Sequence, residues 1–483
     1  MASEADYRLP TQECPDSGHP PRYPPFGFPL QGSCGTLFGS FEVGAQNWVV
    51  AFSSGDIFWS TQSRIPIRDS RATTYDPESQ TGYGPFFVLP GTGEYEWTDE
   101  NLSDRYIPHD YNPAKGYICT ANQDEVGVTA DGDPFNDAHY LSWDFDLGHR
   151  LARIDSVLDE LTSRGNVTRE EMSELQGDDR SPLGAKLAGV MVAAVDRASE
   201  EKQTPGTHDD LTAVVSNAGA DFAKTVQMRD KLDAWTSYRT PAAVEGEPTS
   251  QEIADSVAAT IFNATVSRLA HLAFDDEVAL IANRPWDQKI AKALQWAMLE
   301  PEKLNTYDSD LGDTVLWDDL DTEGFVESRD ERILRAMLGA LAFLEDELGN
   351  DMDGWRWGKL HTVRFSDISG MFGELSIPPE GDEQFPDGFP RHGDNYGVDA
   401  SNYGLWDTTN FSYGSGPQQR VVVEMTPDGP NIWNARPGGQ TIDPEDEHHA
   451  DDAELWRKNE VAPLFFKEID VVENAEERVR FVP

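Results

Sequence analysis

Basic side chains are scarce in this chain. Lys and Arg number 38 against 87 Asp and Glu, a formal net charge of -49 at pH 7. Such a surplus repels phosphate and so argues against DNA, RNA and anionic membranes as partners. Cysteine is scarce too: Cys14, Cys34 and Cys119, with no C-x-x-C spacing, offer neither a zinc site nor a disulfide framework. Long apolar runs are missing, since none approaches the roughly 18 residues of a membrane span. The N-terminus has no apolar signal-peptide core, which leaves the compartment open. Internal repeats and a Gly-rich phosphate loop are also absent.

Aromatic residues are plentiful. With 13 Trp, 23 Phe and 14 Tyr spread along 483 residues, the chain can build a core, so its charge does not mean disorder. A folded protein this acidic suits concentrated salt, where screening weakens self-repulsion, and a halophilic source is expected.

Residues 1–34 are Pro- and Gly-rich and read as a disordered start. Ala45 to Trp59 reads as a β-hairpin turning at Ser53-Ser54-Gly55-Asp56, with Arg64–Arg68 as another extended piece. Gly116-Tyr-Ile-Cys-Thr-Ala-Asn122 reads as a short strand ending in an amide side chain. An acidic loop follows, then a helix entered through Arg150, with apolar residues at Leu151, Ile154, Val157, Leu158 and Leu161. Residues 150–350 are mainly helical, with capping boxes at Thr168/Glu171 and Ser328/Glu331 and helices expected near 184–201, 209–235 and 250–272. Strands and turns return over 351–483, where Gly416–Met425 reads as a buried strand. Two acidic loops come near the EF-hand pattern. Asp131–Asp137 lacks the Gly at position 6 and the acid at position 12, and Asp319–Asp330 departs at positions 5 and 12. The first reads as a solvated loop and the second as a helix cap. The His448–Asp452 cluster has no third ligand at zinc spacing and reads as structural.

Several of these stretches together resemble the penicillin acylase (penicillin amidase) family of N-terminal nucleophile hydrolases. They are the Gly-Tyr-Ile-x-x-x-Asn segment ending at Asn122, the Arg-x-x-x-Ile-Asp-x-x-Leu segment starting at Arg150, Gln46-Asn-Trp-Val leading to Pro66-Ile-Arg68, and Trp355-Arg-Trp-Gly-Lys-Leu-His361. Gly393-Asp394, Val398-Asp-Ala400, Pro437-Gly-Gly and Pro463-Leu-Phe-Phe keep the family order to the C-terminal end. The resemblance covers 35–483 as one β-subunit-like domain: strands and oxyanion loop over 35–149, helices over 150–350, strands and turns over 351–483.

The resemblance implies an α+β fold, a four-layer αββα sandwich with helical excursions, incomplete in this chain. It implies hydrolysis of a linear amide in a small acylated substrate, with Asn122 in the oxyanion hole and Arg150 orienting the substrate or supporting Asn122. A structural Ca2+ held in part by the Pro85 carbonyl and Asp137 is implied for some members; no organic cofactor is. Gln46-Asn-Trp-Val matches a later family segment and not the nucleophile. The catalytic N-terminal Ser is therefore expected on an upstream α-subunit or nucleophile-bearing segment, making this chain a truncated or split form that is inactive alone. Family members are often exported. Penicillins, acyl-homoserine lactones and acylated peptides all remain open as substrates. The alternative is a non-catalytic remnant or binding protein that keeps the acylase fold.

Overall fold

The computed structural model describes residues 46–476 apart from 62–63, 77–78, 80, 104–105, 131–132, 279–286, 323–324 and 368. The Pro-rich 1–34 segment, Cys14, Cys34, Glu323 and Gly324 lie outside the described residues. The chain divides into two compact units, Met1–Asn166 with Met425–Gly429, and Val167–Glu424 with Pro430–Pro483.

The first unit carries a small antiparallel sheet. Strand β1 (Trp48–Ala51) and strand β2 (Ile57–Ser60) form the expected hairpin, in register from Trp48 opposite Ser60 to Ala51 opposite Ile57. Ser53, Ser54 and Asp56 supply turn chemistry, and Gly55 takes φ +91, a conformation that glycine adopts without strain. Strand β3 (Pro66–Arg68) pairs with β4 (Trp97–Asn101), and β5 (His109–Tyr111) completes the sheet order β1-β2-β5. The unit ends in the helix His149–Arg164, whose N-cap Gly148 sits at φ 78.

The second unit is built on the helix Ser250–Val278, whose residues are buried on nearly every side. A helix apolar all round must be enclosed, and here Pro182–Gln203, Asp221–Ala234 and Arg329–Leu348 pack on it. By length and composition this helix could cross a membrane, which the sequence reading did not foresee. Its apolar window is 83% buried within the protein, as a core helix would be. Capping chemistry works as expected at Thr168, where the reciprocal box with Glu171 is complete. At Ser328 only the hydroxyl half forms, because Glu331 turns to Arg335. Asp330, the twelfth position of the EF-hand near miss, is engaged by Arg197 and Arg329.

The class is α+β, with mixed helices and sheets. Among the described residues the strands form small separate sheets, two of three strands and three of two. Three local expectations are corrected. The 117–122 stretch is not a strand: among the described residues no strand pairs with it, and Asn122 has φ 65. The expected 209–235 helix breaks into Thr212–Ala218 and Asp221–Ala234 because Gly219 ends the first at φ +55. The strand Arg420–Thr426 is only half buried, with Val421 and Val423 facing out and Val422 in.

The Trp355–His361 signature is a packing device. Both indoles are fully buried, donating to the Gly349 and Gly393 carbonyls at 2.7 and 2.8 Å. A Cβ on Gly358 would lie 2.7 Å from that of Ala242, so only glycine lets this turn approach so closely. His361 stacks on Trp357 and hydrogen-bonds through Nδ1 to Phe411 O at 2.6 Å. Burial holds its pKa down to about 4, so it is neutral.

Candidate active site

Of the expected site residues, Asn122 and Arg150 come together at the turn that closes the 117–122 segment. Lys115, on the turn that opens the segment, and Tyr117 and Cys119 within it converge on Asp155 Oδ1 of the following helix, at 3.0, 2.8 and 3.7 Å. This anchors the segment to the helix without a sheet. Burial pushes the Cys119 thiol up to about 11, which removes it as a nucleophile near neutral pH.

At the end of the segment the buried Gln123 turns back, and its Oε1 accepts from Ala121 N–H at 2.6 Å. Asp124 Oδ1 accepts from the amides of Gly127 and Val128 and Oδ2 from that of Thr129, closing the next turn. Within the first of these braces, just before the second, sits Asn122, exposed and left-handed at φ 65. That is a conformation in which Asn is among the least strained non-glycine residues.

Arg150, in the first turn of the His149–Arg164 helix, reaches back to this turn. Its Nη2 donates to Ala121 O, to Asn122 Oδ1 and to Asp146 Oδ2, each at 2.9 Å. Asp146 N–H in turn donates to Asn122 O at 2.8 Å. Arginine can only donate, so the Asn122 carbonyl oxygen faces Arg150, and its NH2 group is turned away from the guanidinium. The result is an amide N–H donor whose orientation is set by a cation behind it.

Of the two expected calcium ligands, Pro85 lies on the turn 84–87 and Asp137 on the acidic loop. The Phe86 ring packs against Phe135 at 5.8 Å and Trp143 at 5.1 Å, which puts that turn beside the loop. A carbonyl and a carboxylate are oxygen donors of the kind that suits a hard cation. No three His, Cys, Asp or Glu gather in a metal-binding group among the described residues. The His448 cluster is an ion-pair site: Asp451 and Glu476 take its two ring nitrogens at 2.8 and 3.0 Å and raise its pKa to about 9. Asp452 pairs with Arg436. The sequence reading missed Asp146 and Gln123. An Asp four residues before an Arg, at a Gly-capped helix start, was the available signal for Asp146; nothing in the pattern marked the folded-back Gln123.

The chain resembles known acylases. It is 24% identical over 400 residues to an acyl-homoserine lactone acylase, QuiP, of Pseudomonas aeruginosa, covering 81% of this chain and 42% of the relative. The QuiP protein of Pseudomonas syringae pv. syringae is 23% identical over 416 residues, 86% of this chain and 43% of that one. The chain thus spans well under half the length of these curated relatives. A thermostable penicillin G acylase from Alcaligenes faecalis superposes with TM-score 0.49 at 16% identity, over 92% of this chain and 69% of that one. The penicillin amidase family model matches residues 35–473, nearly the whole chain, and the chain belongs to that family.

Proposed function

We propose that this chain supplies the oxyanion-stabilising part of an amidohydrolase that cleaves a linear acyl-amide bond. The observation that carries this reading is the hydrogen bond from Arg150 Nη2 to Asn122 Oδ1 at 2.9 Å. It fixes the carboxamide with its N–H groups outward, as a donor to a tetrahedral intermediate must be. The polarised amide gains donor strength as well as direction.

In this reading Asn122 Nδ2 donates to the oxyanion, and Arg150 orients Asn122. The nucleophile is an N-terminal Ser on a segment outside this chain, with its own α-amine as base. Two observations support looking outside. The Cys119 thiol is held protonated. Ser53 and Ser54 lie on an exposed turn where Ser54 Oγ donates to Asp56 at 2.5 Å, and that bond lowers the carboxyl's pKa, which leaves Asp56 a weak base. The relatives' names point to acyl-homoserine lactones and penicillin G as first substrates to try. Calcium at Pro85 and Asp137 is proposed as structural.

The test is reconstitution. The 483-residue chain by itself is expected to leave phenylacetyl- and fatty-acyl-anilides, and an acyl-homoserine lactone, intact. Co-folded with an acylase segment that ends in a free N-terminal Ser, it is expected to hydrolyse at least one of them. Hydrolysis by the chain alone would move the nucleophile into this sequence, with Ser53, Ser54 and Cys34 first to be examined.

A further inference from the structure

We infer that Asp146 is a positioning residue for the Asn122 carboxamide, acting on its side chain through Arg150 and on its backbone directly. The inference rests on the oxyanion role proposed for Asn122.

Arg150 Nη2 has two hydrogens and three acceptors, Ala121 O, Asn122 Oδ1 and Asp146 Oδ2, so one hydrogen is shared. Two of the acceptors are neutral amide oxygens. Only Asp146 is ionic, and a charge-assisted bond is roughly twice as strong as a neutral one. The Asp146 side chain is 4% exposed, so solvent does little to dilute the attraction. The carboxylate is itself pinned, because its Oδ1 accepts from Gly148 N–H at 3.1 Å. The carboxylate therefore decides where the guanidinium sits, and the two amide oxygens follow.

The consequence for Asn122 is orientational. A carboxamide can turn over by exchanging O for N. In the turned state it would present its carbonyl oxygen to a developing oxyanion, and the stabilisation would become repulsion. A guanidinium fixed behind Oδ1 excludes that state, because arginine has nothing to offer an NH2 group. Asp146 adds a second constraint through its main chain, donating to Asn122 O at 2.8 Å and holding the turn at φ 65. One residue thus fixes both the backbone and the side chain of the donor without touching substrate.

The variant that isolates the side chain is Asp146→Asn. It keeps the main-chain bond to Asn122 and one side-chain acceptor, but that acceptor can serve Gly148 or Arg150, not both, and the anion is gone. In the reconstituted acylase, kcat is expected to fall about 10-fold with KM within about twofold. That is less than the ~10²–10³ expected for losing the donor itself. In an Asn122→Ala background the same substitution is expected to add no further loss, because it acts through a group already removed. A purely structural role for Asp146 would give additive losses. The chain by itself supplies a readout free of activity. The 15N–1H signals of the Asn122 side chain, identified by their loss in Asn122→Ala, are expected to move toward those of a free exposed Asn in Asp146→Asn. Additive losses, an effect on KM alone, a rise in kcat, or unmoved amide signals would overturn the inference. If the wild-type reconstitution shows no hydrolysis, the oxyanion reading falls. The amide signals then decide by themselves whether Asp146 positions Asn122.

Discussion

At the scale of single residues, burial shifts histidines and carboxyls of the second unit in opposite directions. Burial lowers His361 and His392 to about 4, and raises Asp179 to about 6 and Asp394 to about 7, Asp179 despite its pair with Arg239. The histidines contribute stability that is present above their unfolded pKa near 6.5 and is lost as pH falls toward 4. The raised carboxyls do the reverse: their contribution is present below about 4 and lost as pH rises through 6 and 7. The two trends oppose each other between pH 4 and 6.5. Asp394→Asn removes one carboxyl term, so its urea midpoint relative to wild type is expected to rise from pH 4 to 7 and then level off. A pH-independent difference between the two proteins would show that Asp394 is ionised in the folded state throughout. Gln123→Ala is a second residue-scale case. Its loss frees the Ala121 N–H and is expected to reduce turnover less than Asn122→Ala does, since the proposed donor is Asn122 and Gln123 only braces its turn.

At the scale of elements, what could be read from sequence was local. The β1–β2 hairpin announces itself by turn residues between two apolar runs, and the Thr168 cap by its spacing to Glu171. Thr249 and Glu252 form the same reciprocal bonds at the start of the central helix, a pattern equally visible but passed over. The stretch before Asn122 misled because Tyr-Ile-Cys is apolar and strand-like, whereas strand formation needs a partner. Here three side chains on Asp155 take the place of a ladder. Asn122 and Arg150 were placed by family pattern, but their hydrogen bond depends on a turn that no periodicity describes. Element packing gives two stability predictions. Thr168→Ala is expected to cost ~0.5–2 kcal/mol through loss of its cap. Gly358→Ala, which brings a methyl against Ala242 and Pro390, is expected to cost about 1–3 kcal/mol by overpacking. Urea denaturation reads both, and a neutral Gly358→Ala would mean the turn can shift freely.

At the scale of the whole molecule, charge and a few buried ion pairs set the conditions for folding. Asp399, wholly buried, is held by Arg391, by Arg420 at 2.6 Å and by Asn459 at 2.7 Å, and the two cations lower its pKa against the pull of burial. Removing it leaves two buried guanidinium groups short of an anion, and Asp399→Ala is expected to destabilise by about 3–5 kcal/mol. The surface is another matter. With a net charge of -49, self-repulsion acts over the Debye length, about 10 Å at 0.1 M salt and about 3 Å at 1 M. We propose adaptation to high salt on this ground. Near-UV circular dichroism is expected to show native packing in molar KCl and to lose it in dilute buffer; a cooperative fold at low ionic strength would refute the adaptation.

The calcium proposal is tested at the same scale, since a structural ion acts on overall stability. A chelator is expected to lower the melting temperature of a preparation shown to contain bound calcium, and Asp137→Asn to remove that sensitivity. Persistence of the chelator effect in Asp137→Asn would place the ion elsewhere.

The account turns on Asn122 as the oxyanion donor, and one ratio tests it most directly: kcat of the reconstituted acylase over kcat of its Asn122→Ala variant, on an acyl-anilide substrate at saturation. Loss of a preorganised donor predicts a ratio of ~10²–10³ with KM changed much less, because the carboxamide acts on the charged intermediate and not on the bound amide. A ratio near one, in a variant that folds as wild type does, would contradict the assignment and leave the bond between Arg150 and Asn122 as a structural tie.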